Sequence, residues 1–256
     1  TVATTIEVIE LLEELGSAGV TEVADQLSIS KGAAYNHLAT LQQNNYVVQE
    51  GTEYELSLQF LKLGETIKQR HPLYRAGKPE VEQLAHDTGE YVHLMREESG
   101  RGVYLYQERG ENGIADEYMN KKYSKGEYLH FTSLGKAIMA FLSPEQVNEI
   151  VAKHGLPKET PNTITDIDEL HEELADIREQ GYALNDEEQI RGARAVGAPI
   201  MNPADEVLGA ISVSAPSTRL NEAVFREEMP ERVMQSANII EVHLDTSTDN
   251  MERMDS

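Results

Sequence analysis

The first 57 residues carry the pattern that most restricts what this chain can fold into. Apolar residues recur there at helical spacing in three short segments, and two β-rich runs around a glycine turn follow. Thr21 and Ser30 stand where the N-caps of the second and third helices are expected. The predicted elements are helices over 2–15, 22–27 and 31–44 and strands over 46–49 and 54–57. This order predicts a winged helix-turn-helix domain over residues 1–60.

The rest of the chain changes to a mixture of strands and helices. Two helical segments, 58–70 and about 73–87, come first, and we assign residues 61–88 as linker helices. Beyond them the predicted strands are 91–97, 103–108, 182–185, 194–201 and 207–214, and the predicted helices are about 134–142, 144–154, 166–180 and 221–244. This pattern predicts an α+β domain over 89–245, in which helices cover an antiparallel sheet. A polar tail, 246–256, is expected to be mobile.

Composition excludes several classes of site. The chain has no cysteine, so disulfides, thiolate metal sites and cysteine nucleophiles are excluded. No apolar run approaches the roughly 18 residues of a membrane helix, and residues 1–7 lack the basic and apolar blocks of a signal peptide. We therefore expect a cytoplasmic protein with no membrane partner.

Net charge argues against nucleic acid as a partner, because 45 acidic residues stand against 22 basic ones. One explanation is that the protein does not bind DNA. The other is a salt-rich cytoplasm, where the Debye length falls to about 3 Å at 1 M salt and an acidic surface hardly repels DNA. Residues 26–49 indicate a charge-cleared face where a recognition helix is expected, since they contain no Asp or Glu and Lys31 is their only formally charged side chain.

The third predicted helix has an outer face that suits a major groove. Its amides can pair with adenine edges, its tyrosine can bond phosphate, and its small residues permit close approach. The candidate DNA-binding residues are Lys31, Gly32, Tyr35, Asn36, Ala39, Thr40 and Gln43. The alternative is an ordinary solvated helix, or a helix-turn-helix unit that binds protein.

A second group of polar residues indicates a binding pocket. Thr132 or Ser133 can cap a short helix, whose first N–H groups then face whatever lies before it. Ser212 and Ser214 point to one side of an apolar strand, and their hydroxyls need partners if they are buried. The alternatives are a capped helix whose glycine allows tight packing, and hydroxyls that are satisfied by backbone or water.

Motifs for metal, nucleotide and nucleophilic chemistry are missing from the sequence. The eight histidines include no His-x-x-x-His pair, and His86 with His93 is a weak one, so we expect no metal and no cofactor. No nucleophile elbow or phosphate loop is present. An enzyme built on the C-terminal fold and an interaction protein that does not bind DNA stay open as alternatives to a regulator. The overall acidity favours the interaction protein.

Four segments resemble the IclR (isocitrate-lyase-regulator) family of transcription factors. They are 27–47, 129–137, 182–200 and 209–216. The resemblance implies a ligand-responsive regulator with a GAF- or profilin-like effector-binding domain, which binds palindromic double-stranded DNA as a homodimer or tetramer. It implies that the Ser133 and Leu134 N–H groups hold an effector carboxylate and that Asn185, Ser212 and Ser214 supply side-chain hydrogen bonds. Met119, Ala193 and Ala195 would form the apolar wall.

The chain departs from the family pattern after Lys31, where Gly32-Ala33-Ala34 replaces the usual Ser-Thr-Val, and at three further positions. Asn36 stands where the family usually has arginine, Asn185 where it often has aspartate, and Ala195 where some members have cysteine. We expect weaker ionic contact with DNA and a pocket of altered volume and anion preference. The resemblance also places Glu187 and Glu188 in a structural loop rather than in a catalytic pair.

Overall fold

The computed structural model describes residues 1–113 and 127–254, with side chains to residue 246. The chain forms two compact units, Thr1–Gln69 and Arg70–Ser256. No described helix is both long and apolar enough to cross a membrane.

The N-terminal unit has the predicted winged helix-turn-helix order with one added strand. Its elements are α1 Val2–Leu15, β1 Ser17–Gly19, α2 Val20–Gln26, α3 Lys31–Gln43, β2 Val47–Glu50, β3 Glu53–Leu56 and α4 Gln59–Arg70. The three strands form an antiparallel sheet in the order β1-β3-β2. Its core is built by the inward stripes of α1, α2 and α3 together with Ala18, Val47 and Tyr54.

Strand β1 also corrects the predicted cap of the second helix. Ala18 pairs with Tyr54 of β3, and the helix follows the strand directly. As a result α2 begins at Val20, and Gly19, not Thr21, occupies its N-cap without a side-chain bond. The prediction of Ser30 as the cap of α3 is confirmed, because its hydroxyl oxygen accepts a hydrogen bond from the Ala33 amide at 3.2 Å.

The C-terminal unit is a five-stranded antiparallel sheet between two layers of helices. Its elements are α5 Pro72–Thr88, β4 Tyr91–Glu98, β5 Arg101–Arg109, α6 Ser133–Met139, α7 Pro144–His154, α8 Ile167–Gln180, β6 Ala183–Asp186, β7 Ala193–Met201, β8 Val207–Pro216, a π-helical turn Val224–Glu228, and α9 Met229–Met254. The strand order is β5-β4-β8-β7-β6. The α+β class predicted from the sequence is confirmed.

Alternation along the strands sends apolar residues to both sheet faces. One face packs against α5 and α9 through residues such as Val92, Val213 and Ile240. The other packs against α6 and α8 through residues such as Met95, Ile138 and Leu174. A sheet covered on both faces buries most of its residues, so a cavity on either face is walled by both strand and helix side chains.

Two boundaries differ from the predicted ones. The second predicted linker helix, α5, belongs to the C-terminal unit, because Leu73, Val81 and Leu84 are buried in that core. The last helix continues to Met254 and does not end near Leu244. Residues 245–254 contain neither glycine nor proline, so nothing local ends the helix at the start of the predicted tail.

Candidate functional site

The outward side of α3 holds every residue predicted to touch DNA. Ala34, Leu38 and Leu41 are buried in the N-terminal core, which turns the opposite side of the helix to solvent. On that side lie Lys31, Gly32, Tyr35, Asn36, Thr40 and Gln43, all exposed, and Ala39, which is half-buried. We call these seven residues the reading face.

Hydrogen bonding leaves part of the reading face available to a partner. The amides of Asn36 and Gln43 make no side-chain hydrogen bond to another described residue, so both retain donors and acceptors. Thr40 differs, because its hydroxyl donates to the Asn36 carbonyl at 2.7 Å. The strand β2–β3 turn adds no positive charge, since Glu50 and Glu53 stand on either side of it.

The C-terminal unit contains a cavity of about 350 Å³ on the side of the sheet that faces α6. Seven of the eight predicted effector residues line it: Ser133, Leu134, Asn185, Ala193, Ala195, Ser212 and Ser214. The eighth, Met119, lies outside the described residues. We call this cavity the sheet pocket.

Strand register explains why distant residues meet in the sheet pocket. Asn185 of β6 faces Ala195 of β7, which faces Ser214 of β8, which faces Tyr91 of β4. The register therefore makes one row across four strands, with all side chains on one face. In the next row inward, Gly197, Ser212 and His93 stand side by side on β7, β8 and β4.

The first turn of α6 forms the opposite wall. Thr132 caps the helix, since its hydroxyl oxygen accepts from the Gly135 amide at 2.9 Å, which confirms the predicted capping. The amides of Ser133 and Leu134 bond to no other described residue and border the cavity. Gly197 allows this approach, because a Cβ there would lie 2.8 Å from the Ser133 carbonyl carbon.

The serines differ in their hydrogen bonds. Ser212 is buried and makes no side-chain hydrogen bond to another described residue. Ser214 lies 2.9 Å from Nε2 of His93, which the sequence analysis considered only as a weak metal ligand. Burial lowers the pKa of His93 to about 3, so its imidazole is neutral at physiological pH.

Two arginines beside the cavity are paired with carboxylates. Arg194 contacts Asp186 at 2.7 Å and Glu222 at 2.6 Å. Arg219 makes a bidentate contact with Glu90. Arg191 also lines the cavity; it is exposed and makes no ion pair within the described ranges. The sequence analysis did not predict these three residues.

Asn185 has more protein contacts than its predicted role as an effector ligand requires. Its Nδ2 donates to the Phe131 carbonyl at 2.6 Å, and its Oδ1 accepts from the Glu188 amide at 3.1 Å. The side chain therefore ties the strand β6–β7 loop to the segment before α6. One Nδ2 hydrogen is left for a ligand.

A buried ion pair links the β6–β7 loop to α6. Lys136 of α6 is 1% exposed, and its Nζ lies 2.7 Å from both Glu188 and Glu173. Burial raises the pKa of Glu188, and the Lys136 charge opposes this shift. Thr160 and Thr163 donate to the Glu188 carbonyl. These contacts support the structural role predicted for this loop.

Within the described ranges no group of three or more metal-ligating side chains occurs. The groups that the sheet pocket presents to a ligand are the serine hydroxyls, the first N–H groups of α6 and an apolar wall. These features suit a small polar molecule.

Family comparisons cover both units. Residues 1–51 match the model of the IclR helix-turn-helix domain, and residues 65–242 match the model of the bacterial transcriptional regulator IclR C-terminal. The chain is 37% identical over 243 residues to ArcR, a probable HTH-type transcriptional regulator of Halobacterium salinarum, covering 94% of this chain and 92% of that protein. It is 29% identical over 234 residues to the HTH-type transcriptional regulator KdgR of Escherichia coli, covering 88% and 87%.

Solved structures share the fold. The IclR of Thermotoga maritima superimposes with a TM-score of 0.74 at 26% identity, covering 95% of this chain and 98% of that one. An IclR homologue of Microbacterium hydrocarbonoxydans, complexed with 4-hydroxybenzoate, gives 0.75 at 18% identity, covering 90% and 92%. The latter likeness concerns the fold alone.

These matches decide among the three functional classes that the residues left open. The family models span both units, and the relatives are named as transcriptional regulators. This chain belongs to the IclR family of DNA-binding transcriptional regulators and is not an enzyme.

Proposed function

We propose that this regulator reads a palindromic operator through the reading face and responds to a small organic acid held in the sheet pocket. The observation that carries the proposal is the arrangement of the sheet pocket. The N–H groups of Ser133 and Leu134, which bond to no other described residue, and the hydroxyls of Ser212 and Ser214 border one cavity of about 350 Å³. Such donors, converging on a small volume, suit an acceptor group.

A carboxylate is the acceptor that these groups favour. Each hydroxyl hydrogen bond contributes about 0.5–1.5 kcal/mol net, and bonds to a charged acceptor contribute more. The nearby arginines Arg194 and Arg219 are already paired with acids, whereas Arg191, which also lines the cavity, makes no ion pair within the described residues. Ala193 and Ala195 offer an apolar wall for the remainder of the molecule. The complex of the Microbacterium homologue with an aromatic acid supports this class.

The reading face is proposed to act in pairs. One helix covers too little DNA for useful specificity, and two helices on a palindrome multiply it. Apolar side chains for a dimer seam are available on α1 and α4, where Ile6, Leu61 and Ile67 are exposed. Light scattering in multimolar potassium chloride should give at least twice the 28.6 kDa monomer mass. A purely monomeric solution would contradict the dimer.

Binding to the DNA upstream of its own gene tests the proposal. The assay is a fluorescence anisotropy titration in about 1 M potassium chloride, with pyruvate, gluconate and benzoate as representatives of keto, sugar and aromatic acids. Specific operator binding whose affinity changes with one class of acid would support both the reading-face assignment and the effector assignment. An operator that binds no better than random DNA would overturn the reading-face assignment.

Binding to chromosomal DNA implies a cytoplasmic location.

A further inference from the structure

The sheet pocket contains a histidine whose two ring nitrogens are in different environments. His93 is 3% exposed, and its Nε2 lies 2.9 Å from the Ser214 hydroxyl oxygen. Its Nδ1 is fully buried and has no hydrogen-bond partner within the described ranges.

Neighbouring rings hold this histidine in place. The Tyr91 ring centroid lies 4.6 Å from that of His93, and the Tyr104 centroid lies 5.6 Å away on strand β5. The imidazole is therefore packed between two tyrosines and cannot turn freely to find another partner for Nδ1. Burial also lowers its pKa to about 3, which excludes the doubly protonated form at neutral pH.

The environment of the two nitrogens selects one tautomer. A neutral imidazole carries its proton either on Nδ1 or on Nε2. A proton on Nδ1 would be a buried donor without an acceptor, and orphaned buried N–H groups are rarer than unused acceptors. A proton on Nε2 is instead donated to Ser214, while Nδ1 is an unused lone pair. The second arrangement leaves no donor unsatisfied.

This tautomer fixes what Ser214 can do for a ligand. A hydroxyl that accepts from His93 keeps its own proton free, so Ser214 can donate that proton into the cavity. If Nε2 were the acceptor, the Ser214 hydroxyl would donate its hydrogen bond to His93 and could only accept one from a ligand. The direction of one hydrogen bond thus decides whether the pocket offers a donor or an acceptor at this position.

We propose that His93 is a positioning residue that holds the Ser214 hydroxyl as a hydrogen-bond donor and so makes the sheet pocket selective for acceptor groups such as carboxylate or keto oxygens. The inference deepens the proposed function and rests on the sheet pocket being the effector site. With the N–H groups of Ser133 and Leu134, Ser214 completes a set of donors around the cavity. A carboxylate or keto oxygen can accept from all three groups, whereas an ammonium group could use only the second lone pair of the Ser214 hydroxyl.

Nitrogen-15 NMR of histidine-labelled full-length protein tests the tautomer directly. Long-range proton–nitrogen correlations distinguish a protonated Nε2 from a protonated Nδ1, and no ligand is needed. We expect the Nε2–H form of His93 at pH 7. A Nδ1–H form, or an imidazolium, would overturn the proposal whatever the pocket binds.

Acetate, the smallest carboxylate probe, tests the consequence for binding. His93→Gln keeps an N–H at the position of Nε2 and should bind acetate within about threefold of the parent, whereas His93→Phe removes the donor and should weaken it about three- to tenfold. In a Ser214→Ala background, His93→Phe should cause no further loss, because the hydroxyl that it positions is gone. Equal losses in both backgrounds would mean that His93 only fills space, and would overturn the positioning role.

The failures of the two proposals can be distinguished. If the parent does not bind acetate while the Nε2–H tautomer is observed, the carboxylate site of the proposed function is wrong and the tautomer assignment stands. If acetate binds and His93 carries its proton on Nδ1, the carboxylate site stands and the positioning role is wrong. Should His93→Phe fail to fold, His93→Gln and the spectrum of the parent still decide.

Discussion

The reading face and the sheet pocket make their polar groups available in opposite ways. On the reading face, Asn36 and Gln43 are exposed and make no side-chain hydrogen bond to the described protein. In the sheet pocket, His93 and Asn185 are buried and already bonded. An exposed face can be changed one residue at a time, whereas a buried pocket depends on the contacts that hold its walls. Mutations should therefore affect stability at the pocket and recognition at the face.

The largest expected effect is on the free energy of unfolding, when the buried ion pair of Lys136 and Glu188 is broken. Lys136→Met removes the charge that faces the buried carboxylate of Glu188. We expect the free energy of unfolding to fall by about 3–5 kcal/mol at pH 8, because a buried charge loses its partner. Chemical denaturation measures the loss, and Glu188→Gln in the same chain should restore most of it.

The pH dependence of that loss has a defined sign. Burial raises the pKa of Glu188 already in the parent, and removing Lys136 raises it further. A group whose pKa is raised on folding takes up a proton in the native state, so the penalty is largest above that pKa and shrinks as the pH falls through it. A loss that is equal at pH 8 and pH 5 would contradict the electrostatic explanation. Glu173→Gln, at a partly exposed partner, should have a smaller effect.

The next effect is on effector binding. Ser212→Ala with Ser214→Ala removes both hydroxyls from the pocket without changing its backbone. The loss of two hydrogen bonds should weaken the active acid about tenfold to a hundredfold by calorimetry. The unfolding free energy should fall by about 1–3 kcal/mol, because the buried Nε2–H of His93 loses its acceptor Ser214, whereas Ser212 bonds to no other described side chain. An acid that shifts operator affinity yet binds the double variant as tightly as the parent would refute the pocket assignment.

A smaller effect is expected on the reading face. Asn36→Ala should weaken operator binding about tenfold and relax specificity at one base pair, because an amide that reads adenine contributes about 1–3 kcal/mol of discrimination. Stability should hardly change, since the Asn36 side chain is exposed and unbonded within the described ranges. Gln235→Ala, exposed on α9, serves as the matched control. Uniform weakening across all operator variants would assign Asn36 to the phosphate backbone instead.

The smallest expected effect is that of salt on operator affinity. Lys31 is the only formally charged side chain of residues 26–49, and Glu50 and Glu53 stand on either side of the β2–β3 turn. Each phosphate neutralised contributes about −0.9 to the slope of log affinity against log salt. We expect a slope worth roughly three or fewer phosphates per reading helix. A slope as steep as that of a strongly basic repressor would contradict this expectation.

Local patterns predicted the reading face better than the details of the pocket. The apolar stripe of α3 and its cap at Ser30 depend on residues within one or two turns, so the sequence reveals them. The three-residue strand β1 was missed because it exists only by pairing with β3. Its absence from the prediction also misplaced the cap of α2.

The polar residues and the family resemblance together predicted the pocket, but neither predicted its inner contacts. His93 reaches Ser214 across 121 positions of sequence, and Asn185 reaches Phe131 across 54. Such contacts follow from strand register, which no local periodicity specifies. Alternation along β4, with Val92 and Leu94 on one face, placed His93 on the other face. That signal was present in the sequence and was not used.

The central claim is that the sheet pocket and the reading face are coupled. The most direct measurement is operator affinity with and without the acid that binds, in the parent and in the Ser212→Ala/Ser214→Ala variant. Coupling of about 1–3 kcal/mol predicts a shift of about 5- to 150-fold in the parent, and the same acid concentration should shift the variant far less. Equal shifts in both proteins, or no shift in the parent while the acid is bound, would contradict the account.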